Sequence, residues 1–380
     1  MKTIEDLRSE IDVIDDKLAK LYEERMNCAV EIGKLKKSED KAVYAPDREK
    51  QIINRVTALV SDDKKVYLKQ IFEKMFFQSK ALQSKLTLSN SPIAEKIRDC
   101  TAKLEGDLPV SASVACQGIN GAYSGIAADR LFEISDVTYF KTFDAVFNAV
   151  DKGLCEFGVL PIENSTAGSV SQVYDLMKKH DFYIVKSIKL QITHALVAKK
   201  GVDLKKIKKI ISHEQALHQC ADFIKALGVE TVAVENTAVA AKMVAEGVDD
   251  TVAAICSEES ARSYGLQVVE KGVQDNGNNF TRFICISKSM RIFKGADKIS
   301  VVTSLESKPG SLNKMLSRFA AQGLNLTKIE SRPIPNCSFE FLFYFDFEGA
   351  TDNEGVINLI AALSDSSDKF KFLGCYKEIV

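Results

Sequence analysis

The sequence predicts a multidomain protein in which an all-α segment precedes a two-lobed α/β domain and a small α+β unit. Three observations carry this expectation. No glycine or proline interrupts residues 3–32, where apolar residues recur in alternating steps of three and four. Between residues 110 and 287 short apolar runs alternate with helical patterns, and several runs end in small or polar residues that open the next helix. From residue 299 onward the order of apolar runs and helical patterns reads βαββαβ, as in a ferredoxin-like sandwich.

A chain of 380 residues accommodates two to four domains, each long enough to bury a core. Lysine plus arginine (51) nearly balances aspartate plus glutamate (52), so no global charge points to nucleic acid or to an anionic membrane, and any cationic site is local. No apolar run approaches a membrane span and no signal-peptide pattern opens the chain, so a soluble, cytoplasmic protein is expected. The nine cysteines are scattered without a CxxC and read as reduced thiols. His180, His194, His213 and His218 show neither metal-ligand spacing nor a nucleophile elbow, and neither GxGxxG nor GxxxxGK[ST] occurs. No metal and no cofactor are expected.

Thr3 and Asp6 form a capping-box pattern that opens one long helix. Its seam runs Ile4, Leu7, Ile11, Ile14, Leu18, Leu21, Cys28, Ile32 and Leu35, with Arg25 at the interrupted position. Such a seam packs along a partner helix, and a small helical domain finds that partner in a second subunit, so a homodimer or higher homo-oligomer is expected. An arginine in the seam calls for a bound carboxylate or a salt-bridge partner, or else snorkels to solvent. Lys36 lies within about 20° of Arg25 around the helix, whereas Arg8 is roughly 100° away and suits a different pocket, such as the partner's. Pro46 and Asp47 start a second helix with Arg48 and Glu49. Ser61-Asp62-Asp63 turns into a third, where Ser79 and Gln83 sit one turn apart beside an apolar stripe, as the lining of a cavity would.

Leu7-Arg8, Glu24-Arg25, Gly33-Lys34-Leu35-Lys36, Arg48-Glu49 and Ser79 with Gln83 resemble the all-helical chorismate mutase domain over residues 1–88. The resemblance implies that Arg8, Arg25 and Arg48 hold the two carboxylates of chorismate, with Arg8 reaching across from the other subunit. It further implies that Glu49 and Ser79 contribute to binding, and that Lys36 and Gln83 address the ether oxygen. The reaction is a pericyclic rearrangement, so catalysis would be confinement plus positive charge where negative charge develops. Ala45 stands where an acidic residue is frequent in the family.

Residues 89–109 read as a charged, helical connector, and a new domain runs from 110 to 287. In the stretch Pro161-Ile162-Glu163-Asn164-Ser165-Thr166-Ala167-Gly168-Ser169-Val170 an apolar run gives way to a polar turn and then a helix. Ser165 or Thr166 would cap that helix, Gly168 would let the backbone approach a ligand, and free N–H groups would hold an anion. Glu163 adds a proton-transfer group and Asn164 an amide. A long β stretch at 182–199 suits two lobes around a cleft, which would be the site. Near the end of this domain a polar loop, 276–279, runs into the strand that carries Thr281 and Arg282.

Gly121-Ala122-Tyr123-Ser124, the stretch 161–165, Ser212-His213-Glu214-Gln215-Ala216-Leu217 with Gln219-Cys220, Asn236-Thr237-Ala238 and Thr281-Arg282-Phe283 together resemble prephenate dehydratase. That resemblance implies a two-lobed, periplasmic-binding-protein-like fold. It ties Thr281 most closely to catalysis and lines the cleft with Glu163, Asn164, Ser165, Ser212 and Gln219. A hydroxyl donor at Thr281, with Glu163 as the ultimate acid, would help the ring hydroxyl of prephenate leave as water. Arg282 is either a carboxylate clamp or an inward structural ion pair.

Residues 287–298 read as a short, basic, solvated connector. Gly310-Ser311-Leu312 and Glu330-Ser331-Arg332-Pro333 resemble the ACT regulatory domain, in which the corresponding turns bind L-phenylalanine, and Asn313 stands where an aliphatic residue is usual. The three resemblances occur in the order of the bifunctional chorismate mutase/prephenate dehydratase family with a C-terminal ACT domain at 299–380. They imply conversion of chorismate to prephenate and of prephenate to phenylpyruvate, with feedback by L-phenylalanine. The alternatives are an arogenate-using dehydratase and a non-catalytic amino-acid sensor.

Overall fold

The computed structural model describes residues 2–39, 46–87, 91–103, 106–334 and 340–380; Ala45 lies outside them. The chain divides into two compact units, residues 1–96 with 357–366 and residues 97–356 with 367–380.

The first unit opens with the helices α1 (Ile4–Ser38), α2 (Pro46–Thr57) and α3 (Asp62–Thr87). The capping box at Thr3 forms: its hydroxyl accepts from the Asp6 N–H, while Asp6 accepts from the Thr3 N–H. Met26 and Ala29 of α1 are buried, as are Val56 of α2 and Phe76 of α3. The predicted α1 seam is not: Ile11 and Ile14 are each 53%, Leu18 58%, Leu21 60% and Leu35 62% exposed, and the buried Met26 and Ala29 lie off it. A helix α4 (Pro92–Ala102) follows.

The second unit opens with β1 (Ser111–Gln117), α5 (Tyr123–Leu131), β2 (Ile134–Phe140), α6 (Phe143–Asp151) and β3 (Phe157–Asn164). A two-residue strand, β4 (Gly168–Ser169), folds back on β3 before α7 (Ser171–Met177) and β5 (Tyr183–Gln191). The second lobe comprises β6 (Ala195–Ala198), β7 (Lys209–His213), α8 (Glu214–Gln219), α9 (Ala221–Leu227), β8 (Glu230–Val234), α10 (Thr237–Glu246), β9 (Val252–Cys256), α11 (Glu258–Ser263) and β10 (Gln267–Lys271). The chain then returns to the first lobe as β11 (Phe280–Ser287) and ends β12 (Lys298–Ser304), α12 (Ser311–Ala321), β13 (Leu326–Pro333), β14 (Phe341–Glu348), α13 (Glu354–Asp365) and β15 (Phe370–Ile379).

Two sheets result, with strand orders β13-β14-β12-β15-β5-β11-β3-β1-β2 and β10-β6-β9-β7-β8. The first lobe and the C-terminal βαββαβ segment therefore share one sheet, joined where β15 runs parallel to β5. Only glycine permits that approach at residue 374. Its φ is +147°, and a Cβ there would stand 2.1 Å from the Ile184 carbonyl oxygen.

Three local expectations differ from the structure. The β stretch at 182–199 is broken at residues 192–194, because β5 and β6 belong to different sheets and the chain must cross between lobes there. After Asn164 the chain forms a hairpin and not a helix start. The side chains of Ser165 and Thr166 do not cap α7, whose N-cap is Val170. The connector at 287–298 is not solvated: Met290, Ile292 and Phe293 are buried, while the Arg291 guanidinium lies over the Phe157 and Phe293 rings and pairs with Glu156.

Candidate active site

In the helical unit the structure brings Arg25, Ser79 and Gln83 to the facing sides of α1 and α3. Arg25 Nη1 donates to Ser79 Oγ at 2.8 Å, and its guanidinium lies 5.4 Å from the Phe76 ring centroid. Among the described residues no carboxylate pairs with it, and burial lowers its pKa below the ordinary arginine value. Gln83 is buried, with Oε1 unpartnered among the described residues, and packs so closely on Gly33 that a Cβ there would stand 2.9 Å from its Cγ. A cation without a carboxylate partner suits an anionic ligand, and the orphan Gln83 oxygen, an acceptor, suits a hydroxyl donor on it. Glu49 is instead joined to Lys80 at 2.8 Å, and Arg48 reaches Gln51 at 3.5 Å. Lys36 is half-buried on α1. Arg8 is exposed, and its seventeen-residue separation from Arg25 places it about 25 Å away along the helix.

In the second unit β3 and β11 lie antiparallel with Asn164 opposite Thr281 and Glu163 opposite Arg282. Because successive side chains alternate faces, this register puts Asn164 and Thr281 on one face and Glu163 and Arg282 on the other. Asn164 Nδ2 donates to Thr281 Oγ1 at 2.8 Å and to Asn279 Oδ1 at 2.7 Å, while its Oδ1 accepts from the Thr166 and Ala167 N–H groups. The Thr281 oxygen is thus supplied with a donor, which leaves its own proton available to a ligand. Ser165 locks the loop from outside, donating to the Asn278 carbonyl and accepting from the Phe280 N–H.

A cleft of about 570 Å³ lies between the lobes against this cluster, lined by Thr166, Ala167, His213, Gln215, Gln219 and Asn279, with Glu214, His218, Asp275 and Asn276. His213 caps α8 by accepting from the Gln215 N–H, as a helix-opening residue. Ser212 does not reach the cleft: it is fully buried and donates to the Ile255 carbonyl at 2.6 Å. The N–H groups of Thr166 and Ala167, expected to await an anion, are taken by Asn164.

Glu163 and Arg282 lie on the face of the sheet away from Thr281. Lys328 donates to Glu163 Oε1 at 2.7 Å, so the carboxylate faces β13 and not Thr281. Arg282, nearly fully buried, donates to Asp346 Oδ2 at 2.6 Å and to the Tyr376 hydroxyl at 2.7 Å, with Glu378 at 2.9 Å from its Nε. Burial works against its charge, yet Tyr376, Asp346 and Glu378 raise its pKa above the ordinary range. Of the two readings for Arg282, the structure shows the inward ion pair.

The C-terminal residues separate too. Gly310 precedes α12 with φ +83°, and Ser311 and Leu312 start that helix with partly exposed side chains. Glu330 and Arg332 instead face the first lobe: Glu330 accepts from Ser169, and Arg332 holds Asp175 through two nitrogens and Ser171 through a third. Ser331 lies with Ile329 and Pro333 on the exposed face of β13.

Two polar clusters, one helical and one in an α/β cleft, define an enzyme with two separate centres on one chain. Residues 7–84 match the family model of chorismate mutase type II and residues 114–291 that of prephenate dehydratase. The bifunctional chorismate mutase/prephenate dehydratase of Aquifex aeolicus is 31% identical over 99% of this chain and 98% of its own. The chain belongs to the bifunctional chorismate mutase/prephenate dehydratase family. It is also 37% identical to arogenate dehydratase/prephenate dehydratase 2 of Arabidopsis thaliana, over 78% of this chain and 81% of that one. The structure of prephenate dehydratase from Arthrobacter aurescens in complex with L-Phe superposes with a TM-score of 0.64 at 30% identity, covering 70% of this chain and 89% of that one.

Two residues that line or brace the cleft were missed in that role from sequence: Asn279, named only as part of a polar loop, and His194, weighed only as a metal or triad histidine. A run of asparagines entering an apolar strand was the available signal for the first. For the second, a lone histidine between two apolar runs carries none.

Proposed function

We propose that prephenate is turned over at Thr281 and that residues 299–380 form a ferredoxin-like ACT domain through which L-phenylalanine inhibits that step. The observation that carries the first part is the Asn164–Thr281 contact, which leaves the threonine proton for the substrate. The bond from the ring to its carboxylate breaks and its electron pair completes the aromatic ring. The C–O bond breaks toward oxygen, and the departing hydroxide takes a proton to leave as water. Glu163 positions β3 through Lys328 and is not the acid. In the helical unit Arg25, Ser79, Gln83, Lys36 and Arg48 confine chorismate. Arg8 completes the pocket from a second subunit, docked along the exposed α1 seam.

The βαββαβ order and the L-Phe complex of the Arthrobacter relative support the regulatory reading. L-phenylalanine at the Gly310–Ser311 turn would favour a β13 placement that is passed to β3 by the Lys328–Glu163 contact and to α7 by the Arg332–Asp175 contact, shifting the population away from the competent cleft. The test offers chorismate, prephenate and arogenate separately and follows phenylpyruvate or phenylalanine formation with and without L-phenylalanine. Phenylpyruvate from the first two, suppressed by L-phenylalanine, is expected. Turnover of arogenate in preference to prephenate would overturn the dehydratase assignment, and activity indifferent to L-phenylalanine the regulatory one.

A further inference from the structure

Two side-chain amides border the cleft, and each has its carbonyl oxygen already occupied by a protein donor. Asn279, 3% exposed, accepts at Oδ1 from Asn164 Nδ2, and its own Nδ2 has no partner among the described residues. Its backbone is pinned, since its carbonyl accepts from the Ile192 N–H at 2.7 Å in the first crossing between lobes. Gln219, at the end of α8, meets His194 Nε2 through Oε1 at 3.0 Å. His194 is likewise 3% exposed, and its backbone N–H donates to Gln274 Oε1.

The tautomer follows from these contacts. A Gln219 oxygen can only accept, so Nε2 carries the histidine proton, and the unpartnered Nδ1 is a bare acceptor. The opposite arrangement would bury an N–H donor with nothing to receive it, which is the costlier orphan. Burial lowers the His194 pKa, in keeping with a neutral ring. Both amides line one cleft with their oxygens engaged and their NH₂ groups left over, and that lining, among the described residues, contains no lysine or arginine. Of the two acidic residues on that lining, Glu214 and Asp275, the latter accepts from the Asp222 N–H at the start of α9.

We infer that Asn279 and Gln219, locked by Asn164 and His194, form an uncharged donor pair that receives the carboxylate of prephenate that departs as carbon dioxide. Neutral donors suit that group. A fixed cation would hold the carboxylate most tightly in the ground state and lose the interaction as carbon dioxide forms, raising the barrier. Oriented amides fix the group without that penalty. His194 is a positioning residue, acting only through Gln219.

The inference rests on placing the dehydratase centre at Thr281, and the test separates the two. In the full-length protein, Asn279→Asp keeps the acceptor for Asn164 and replaces the cleft-facing donor by a carboxylate oxygen. The KM for prephenate is expected to rise at least about tenfold. Phenylpyruvate lacks the ring carboxylate, so its inhibition constant as product is expected to stay within about twofold. His194→Leu frees the Gln219 amide and raises KM similarly, whereas His194→Gln restores a donor near the Nε2 position and brings KM back to within about threefold of the parent. Should His194→Leu fail to fold, the near-isosteric Asn279→Asp decides alone. An unchanged KM in Asn279→Asp, or an equal rise in KM and in the phenylpyruvate constant, overturns the inference. Indistinguishable behaviour of folded His194→Leu and His194→Gln removes the positioning role. Full activity in Thr281→Ala would instead remove the underlying site.

Discussion

Replacing Asp346 by alanine distinguishes a structural Arg282 from a substrate clamp. Asp346 accepts from Arg282 at 2.6 Å and from Ser300 Oγ at 2.5 Å, and both carboxylate and guanidinium are buried. Removing one partner of a buried pair costs about 3–5 kcal/mol, because the other charge stays desolvated. Glu378, 2.9 Å from Arg282 Nε, and the Tyr376 hydroxyl remain, so the lower end, about 3 kcal/mol, is expected. Urea titration would follow the midpoint for loss of dehydratase activity, with chorismate mutase activity measured in the same samples as a readout of the helical unit. The dehydratase midpoint should fall while KM for prephenate stays near the parent value. The double variant Arg282→Met/Asp346→Leu should recover most of the loss, since no charge is then stranded. A shift worth less than about 1 kcal/mol, below the range for a broken buried pair, combined with a tenfold rise in KM would refute the reasoning and return Arg282 to the substrate.

Thr281→Ala should lower dehydratase kcat at least about 100-fold while Thr281→Ser retains most of it, as steady-state phenylpyruvate formation will show. Glu378 is opposed by burial but held down to about 2 by bonds from Lys298 and Lys189 and by the charge of Arg282. Its folded pKa lies below the ordinary 4.5, so its contribution is complete above 4.5 and disappears as pH falls toward 2. Circular dichroism melts between pH 6 and 2 should therefore show a smaller acid-induced fall for Glu378→Gln than for the parent. Gly374→Ala would drive a methyl into the Ile184 carbonyl and should separate β15 from β5, lowering dehydratase stability by more than about 2 kcal/mol in urea titrations read by that activity. Arg25→Met should raise KM for chorismate at least about tenfold without altering prephenate turnover.

By itself the sequence determined what depends on local spacing. The capping box at Thr3, the helices opened at His213 and Asn236, the βαββαβ order after residue 299 and the motifs that identify both activities all follow from residues a few positions apart. Tertiary structure decided which partner each side chain meets. Glu163 and Asn164 are adjacent and equally polar, yet alternation along β3 sends one to Lys328 and the other to Thr281, and only the β3–β11 register and the shared sheet say which face is the cleft. For the same reason Arg282, Glu330 and Arg332 became braces, Ser212 a core hydroxyl, and Asn279 and His194 parts of the cleft. A strand's period states that neighbours face apart; what stands on each face depends on elements from 25 to 165 residues away.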